Sequence, residues 1–178
     1  LTLPASGVGG DWIVKLPDQR FDGVPANEFA TMSWARASGV DVPDFDLVDI
    51  AAIEGLAALA GSFRESRAFA VRRFDRPAPG RRVHIEDFAQ VMNVRARDKY
   101  DDANYEQIGR VLLAVTSAAD FEQFVRRLVF VVASGNADAH LKNWSLIYRD
   151  GHTANLSPAY DLVSTIQYID QDKLALNL

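Results

Sequence analysis

The sequence predicts an α+β chain in two parts. One is a small β-rich lobe with one helix; the other is a mainly helical lobe carrying a β-hairpin. Three observations predict it. β-rich runs crowd into the first 76 residues. A Pro-, Gly- and Arg-rich stretch, RPAPGRR at Arg76–Arg82, follows and marks the boundary. Beyond it apolar residues recur at helical spacing until a hairpin pattern near the end. The expected division is 1–76 and 77–178.

In the first lobe, WIVKL at Trp12–Leu16 is a short strand between Gly10 and Pro17, with Lys15 inside it. Asp18–Pro25 reads as loop. Asn27 suits an N-cap, and Glu28 then sits in the first turn, where a carboxylate complements the helix dipole. Gly39 ends that helix. Phe45–Ile53 and Arg67–Phe74 read as strands, the second without clean alternation, and the segment between them as a turn with short helical character.

In the second lobe, IEDFAQVM predicts a short amphipathic helix and Tyr105–Val115 a second. Asp120–Val132 predicts the third, with Phe121, Phe124, Leu128 and Val132 on one face and Val125 and Val129 beside them. WSLIYR, the turn DGHT and ANLSPAYDL read as the hairpin.

Bulk properties narrow the function. The 178 residues are 48% hydrophobic and 24% charged, as in ordinary globular proteins, with net charge −5. An acidic balance argues against a dedicated nucleic-acid binder. There is no cysteine, which removes disulfides and thiolate metal sites. No apolar run reaches the roughly 18 residues of a membrane span, and no signal peptide is evident, so a cytoplasmic protein is expected. The chain starts without Met and stops in an apolar stretch, so truncation at both ends is expected.

The stretch SGNADAHLKNW at Ser134–Trp144 carries the chemistry. Counting back across the hairpin turn places Asn143 opposite Tyr160, within a residue of Asp161. The two side chains can converge at the open end of the hairpin, with Asp138 on the loop leading in. An oxygen-rich cluster of this kind suits Mg²⁺, which takes one or two carboxylates plus substrate phosphates. Asp-x-x-x-x-Asn is also the catalytic-loop spacing of protein kinases. In that scheme Asp138 is the acid-base or orienting group, Asn143 and Asp161 hold metal, and Lys15 meets nucleotide phosphates.

WIVKLP, NEFATMSWARASGVDVP, FAVRRFDR, NADAHLKNWSLIY and LSPAYDLVST together resemble the HipA-type serine/threonine kinases of bacterial toxin–antitoxin systems. The resemblance implies a two-lobed, protein-kinase-like fold, with residues 1–76 as the nucleotide-binding lobe and 77–178 as an incomplete catalytic lobe. It implies ATP and Mg²⁺ as cofactors and phosphorylation of serine or threonine on a protein, with an aminoacyl-tRNA synthetase or other translation factor as target. It implies a helix-turn-helix antitoxin as partner, with DNA met only through that antitoxin. Residue by residue, Lys15 would meet the ATP phosphates and the backbone at Arg72 and Phe74 the adenine. Asp138 would be catalytic, and Asn143 and Asp161 would hold Mg²⁺. His140 joins the nucleotide-binding set in a supporting role. The family commonly has Glu where this chain has Arg72. Its phosphate loop would lie before Leu1, and much of its helical lobe after Leu178.

Other readings of single residues stand beside these. Asp138 could simply close a helix, and Lys142 could face solvent or phosphate. Glu28 could pair with Lys15 rather than serve the helix dipole. The five arginines between Arg72 and Arg82 fit a solvated linker or a surface for an acidic partner. Asp-x-His invites zinc, but no cysteine or suitably spaced histidine completes such a site. Two further functions remain in view. One is a small-molecule phosphotransferase of aminoglycoside- or choline-kinase type, sharing Asp138, His140, Asn143 and Asp161. The other is a non-catalytic kinase-like binding module.

Overall fold

Arg67–Arg72 (β3) explains its own lack of alternation. It is the middle strand of an antiparallel sheet, between Trp12–Lys15 (β1) and Phe45–Asp49 (β2). A central strand is covered on both faces, so Ala68, Phe69, Ala70 and Val71 are all buried. Register pairs Lys15 with Phe69 and Ile13 with Val71. Side chains alternate across a strand, so Ile13, Lys15, Phe69 and Val71 share one face. Val14 and Ala68 lie on the other, over a small cluster with Leu16 and Ile50. The computed structural model describes residues 10–95, 103–169 and 173–178.

Helix α1 spans Val24–Ala37 and packs on the first of these faces through Met32 and Ala35. Its N-cap lies four residues before the Asn27 cap expected from sequence. Gly23 takes the N-cap with φ 78°, and its N–H is met by Glu65 Oε1 at 2.8 Å. Asn27 and Glu28 therefore lie inside the helix, and Glu28 is not a first-turn dipole carboxylate. Gly39 closes the helix at φ 76°.

β2 stops at Asp49, whose side chain caps a 3₁₀ turn at Ile50–Ala52, so the strand is shorter than expected. β3 likewise ends at Arg72. A second 3₁₀ segment, Ala57–Ser62, supplies the helical character expected there.

The expected IEDFAQVM helix is half strand. His84–Asp87 (β4) pairs with Ser145–Tyr148 (β5), and the helix (α2) is only Phe88–Val91. Asp87 and Gln90 form a reciprocal capping box that starts it. β5 pairs in turn with Asn155–Leu156 (β6), so the hairpin belongs to a three-stranded sheet.

Tyr105–Val115 (α3) lies where the spacing predicts it, and Ala118–Ser134 (α4) extends beyond the expected third helix at both ends. α4 buries a face rotated from the one read in sequence: Phe124 is in the core and Phe121 and Leu128 pack against it, but Val132 is exposed. Phe124, Arg127, Phe130, Val131 and Ser134 point inward, while Val125, Val129 and Val132 are exposed. Arg127 in the buried stripe disguised it. One apolar core runs through both lobes, from Met32, Phe69 and Val71 to Phe124, Phe130, Trp144 and Leu146.

Candidate active site

β1 delivers Lys15 to the cleft side of its sheet because Ile13 and Val71 occupy the same face. There Lys15 Nζ donates to Glu28 Oε1 of α1 at 2.6 Å and to Asp161 Oδ1. The choice between helix dipole and lysine partner for Glu28 is thereby decided for the lysine. Two carboxyl groups share one ammonium. Burial works against the charge on Lys15, but Glu28 and Asp161 outweigh it and hold its pKa above the ordinary value. Glu28 is buried, and desolvation pushes its carboxyl up to about 7 against the pull of Lys15. Burial also opposes ionisation of Asp161. Lys15, then His140 and Asn143, reverse this and hold it below the carboxylate range.

Asn143 reaches the same point from the other side, its Nδ2 donating to Asp161 Oδ2 at 3.0 Å. It ends a 3₁₀ turn, Leu141–Asn143, directly before β5. Observed pairing sets Leu146 opposite Leu156, so extending the ladder puts Asn143 opposite Ala159, one residue from the counted partner. The ladder itself ends at Leu156. Asp161 swings back with φ 58°, a left-handed conformation that a non-glycine residue adopts only when its surroundings impose it.

Asn143 Oδ1 is buried with no hydrogen-bond partner in the protein. An orphaned oxygen beside a carboxylate is the donor set a hard cation takes, so Asn143 and Asp161 fit Mg²⁺. Among the described residues no cluster of three or more His, Cys, Asp or Glu forms a metal site of the zinc type.

Asp138 stands on the loop after α4, which Gly135 ends at φ 61°. Its N–H is held by Asn136 Oδ1 at 3.0 Å, and its side chain is 48% exposed. His140 is buried, with Nε2 3.8 Å from Asp138 Oδ1, and its carbonyl accepts from the Asn143 N–H at 2.9 Å. It thus lies between Asp138 and Asn143.

A cleft of about 360 Å³ opens beside this cluster, within the range of ligand pockets. Ile13, Val71, Ile85, Phe74 and Tyr160 form apolar walls, and Lys15, Lys142 and Asp161 lie at one side. Arg72 and Phe74 line it; Asp138, His140 and Asn143 do not. The Arg72 N–H donates to the Asp44 carbonyl at 2.8 Å, so this backbone donor is already engaged within the protein.

Two residues of the cleft, and the buried Arg127 of α4 outside its lining, escaped sequence reading. Asp75 lines the cleft, buried between a bidentate Arg73 and Arg76. Burial opposes its charge, but the arginines outweigh this and lower its pKa. An acid flanked by arginines in RRFDR was the available signal. Tyr160 stacks at 5.6 Å on Phe74 and donates to the Lys142 carbonyl at 2.8 Å, burial raising its pKa to about 12. Arg127, fully buried, donates to the Ser157 carbonyl and lies 5.2 Å from the Trp144 ring.

Residues 3–178 match the family model described as HipA-like C-terminal domain. The chain is 57% identical over 178 residues to a Sinorhizobium fredii protein named as a presumed kinase, Y4dM, covering 99% of this chain and 43% of that one. It is 32% identical over 170 residues to a presumed kinase of Haemophilus influenzae, covering 89% and 46%. It therefore spans less than half the length of these curated relatives. The solved HipA of Shewanella oneidensis, in complex with HipB and operator DNA, superposes with a TM-score of 0.76 at 28% identity, over 93% of this chain and 40% of that one. The Helicobacter pylori kinase CtkA gives 0.60 at 16% identity, over 90% and 57%, a likeness of fold. The architecture is accordingly an α+β, two-lobed, kinase-like fold, and the chain belongs to the HipA-like C-terminal domain family.

Proposed function

We propose that this chain forms the nucleotide-binding and catalytic parts of a kinase that uses ATP and Mg²⁺ to phosphorylate serine or threonine on a protein. One observation carries the reading. Lys15 is tied at once to Glu28 of α1 and to Asp161 beyond the hairpin, at the wall of a cleft of purine dimensions. Protein kinases need this lysine–glutamate pair and the metal-binding Asp in place together.

Residues 1–76 supply Lys15, Glu28 and the hinge at Arg72–Phe74; residues 77–178 supply Asp138, Asn143 and Asp161. The apolar walls take the base, and Lys15 takes phosphate oxygens. Asn143 Oδ1 and the Asp161 carboxylate would hold Mg²⁺, which supplies charge neutralisation on the phosphates. Asp138, half exposed where a protein substrate can approach, orients the attacking hydroxyl. It takes the proton as the oxygen–phosphorus bond forms and the bond to the departing ADP oxygen breaks. His140 holds Asp138 in register with the metal-binding pair.

HipA of Shewanella oneidensis was solved with HipB and operator DNA. By that likeness the natural partner here is an antitoxin of helix-turn-helix type, and the protein is a cytoplasmic toxin component meeting DNA only through it. No helix among the described residues is long and apolar enough to cross a membrane.

The test is transfer of label from γ-labelled ATP by the full-length natural protein in a bacterial lysate with Mg²⁺. Label in protein, lost with Asp161→Asn, is the expected result. Label only in aminoglycosides or aminoalcohols would assign a small-molecule phosphotransferase. Binding of ATP without any turnover would assign a non-catalytic module.

A further inference from the structure

Asn27 lies one residue before Glu28 on α1, and its amide is fully engaged. Nδ2 donates to the Ser164 carbonyl at 2.9 Å, while Oδ1 accepts from the Ser164 N–H at 2.9 Å. The same oxygen accepts from Thr31 Oγ1 at 3.2 Å, one helical turn on. The side chain thus pairs with the Ser164 backbone as a neighbouring strand would. Only an amide of this length offers both a donor and an acceptor there.

The adjoining residue carries the connection onward. Thr165 Oγ1 donates to the Gly135 carbonyl at 3.0 Å and accepts from the Ala137 N–H at 2.8 Å, and the Thr165 N–H also donates to Gly135 at 2.9 Å. Ala137 directly precedes Asp138. Hydrogen bonds on the adjacent residues Ser164 and Thr165 therefore tie α1 on one side and the loop bearing Asp138 on the other to the same short segment. Lys15 makes a parallel connection three residues earlier, from α1 through Glu28 to Asp161.

We infer that Asn27 is a positioning residue. It fixes α1 to the segment after Asp161, and through Thr165 it fixes that segment to the loop of Asp138. The nucleotide-holding residues and the acceptor-side aspartate then keep one separation. This rests on the kinase reading for its effect on rate, though not for the physical linkage.

Two measurements on the full-length protein test it. In Asn27→Ala, kcat should fall 10- to 100-fold, with KM for Mg·ATP changing less than about fivefold, because the cleft walls and Lys15 remain. Ser33→Ala on the same helix, which loses only a bond to the Phe29 carbonyl, should leave kcat within twofold. Amide hydrogen exchange is the readout independent of activity. Asn27→Ala should speed exchange at Ala137 at least tenfold and leave mid-α4 amides unchanged. Equal exchange at Ala137 in both proteins overturns the linkage. Faster exchange with kcat within twofold of wild type overturns the positioning role. A wild-type protein without transferase activity removes the kinase reading, and exchange alone then decides the linkage.

Discussion

Lys15, Glu28 and Asp161 form a triad in which one cation serves two anions, and its pH behaviour follows from which carboxylate is buried. Glu28 has a folded-state pKa pushed up to about 7 from an ordinary 4.5. An acid with a raised folded pKa binds its proton more tightly when folded. Wild type should therefore lose stability relative to Glu28→Gln between about pH 4.5 and 7, by on the order of 2–3 kcal/mol, and hold that difference above pH 7. Thermal unfolding of both proteins across this window measures it. A difference that stays flat from pH 4.5 to 7 would mean Glu28 remains ionised throughout. Lys15 has the opposite sign: its raised pKa contributes stability fully present below about 10.5 and lost as pH climbs through the folded value. Removing Lys15 takes the shared cation from Glu28 and Asp161 and opens a gap on the cleft face of β1, so Lys15→Ala should cost about 1–3 kcal/mol in denaturant unfolding, besides lowering nucleotide affinity. At this scale the sequence was legible where local counting applies. Asn143 and Asp161 could be brought together by counting from the hairpin turn. The route by which they meet could not, because it depends on a left-handed Asp161 beyond the last ladder pair. Asp75 was passed over because its flanking arginines read as a basic linker, although Arg73 and Arg76 both pair with it.

Elements show the same contrast. α3 was legible because its apolar spacing coincides with its buried face and a capping box at Asn104 and Gln107 starts it. α1 was misplaced because glycine at an N-cap leaves no side-chain signature, and Pro25 inside the first turn was read as loop. β4 was read as helix because HIED carries no strand pattern of its own; its pairing with β5 makes it a strand. The α4 stripe was rotated because a buried arginine interrupts it. Gly135 is the element boundary on which the site depends. A Cβ there would sit 2.4 Å from Ile166 Cγ2, at a φ of 61° that L-residues disfavour. Gly135→Ala should therefore destabilise by about 2–3 kcal/mol. Denaturant unfolding measures it, and a loss below about 0.5 kcal/mol would show that Ile166 moves aside freely.

Across the whole molecule the two lobes share one apolar core, with Phe69 and Met32 joined to Phe124 and Trp144. They should unfold as one transition: Trp fluorescence and far-UV dichroism curves should coincide in denaturant. Two separated midpoints would show lobes that fold independently. This continuity places Lys15 of the first lobe against Asp161 of the second. The two-lobed class was legible from the order of strands, linker, helices and hairpin. The shared core was not, because it is built from contacts between residues far apart in the chain.

The proposed function rests on a division of labour in which Lys15, Asn143 and Asp161 would hold the nucleotide and Asp138 would act on the acceptor hydroxyl. The most direct measurement compares Asp138→Asn with wild type in the full-length protein, for Mg·ATP affinity and for γ-phosphoryl transfer to protein. The account predicts affinity within about threefold and transfer reduced at least 10²-fold. Transfer at the wild-type rate in Asp138→Asn would contradict it.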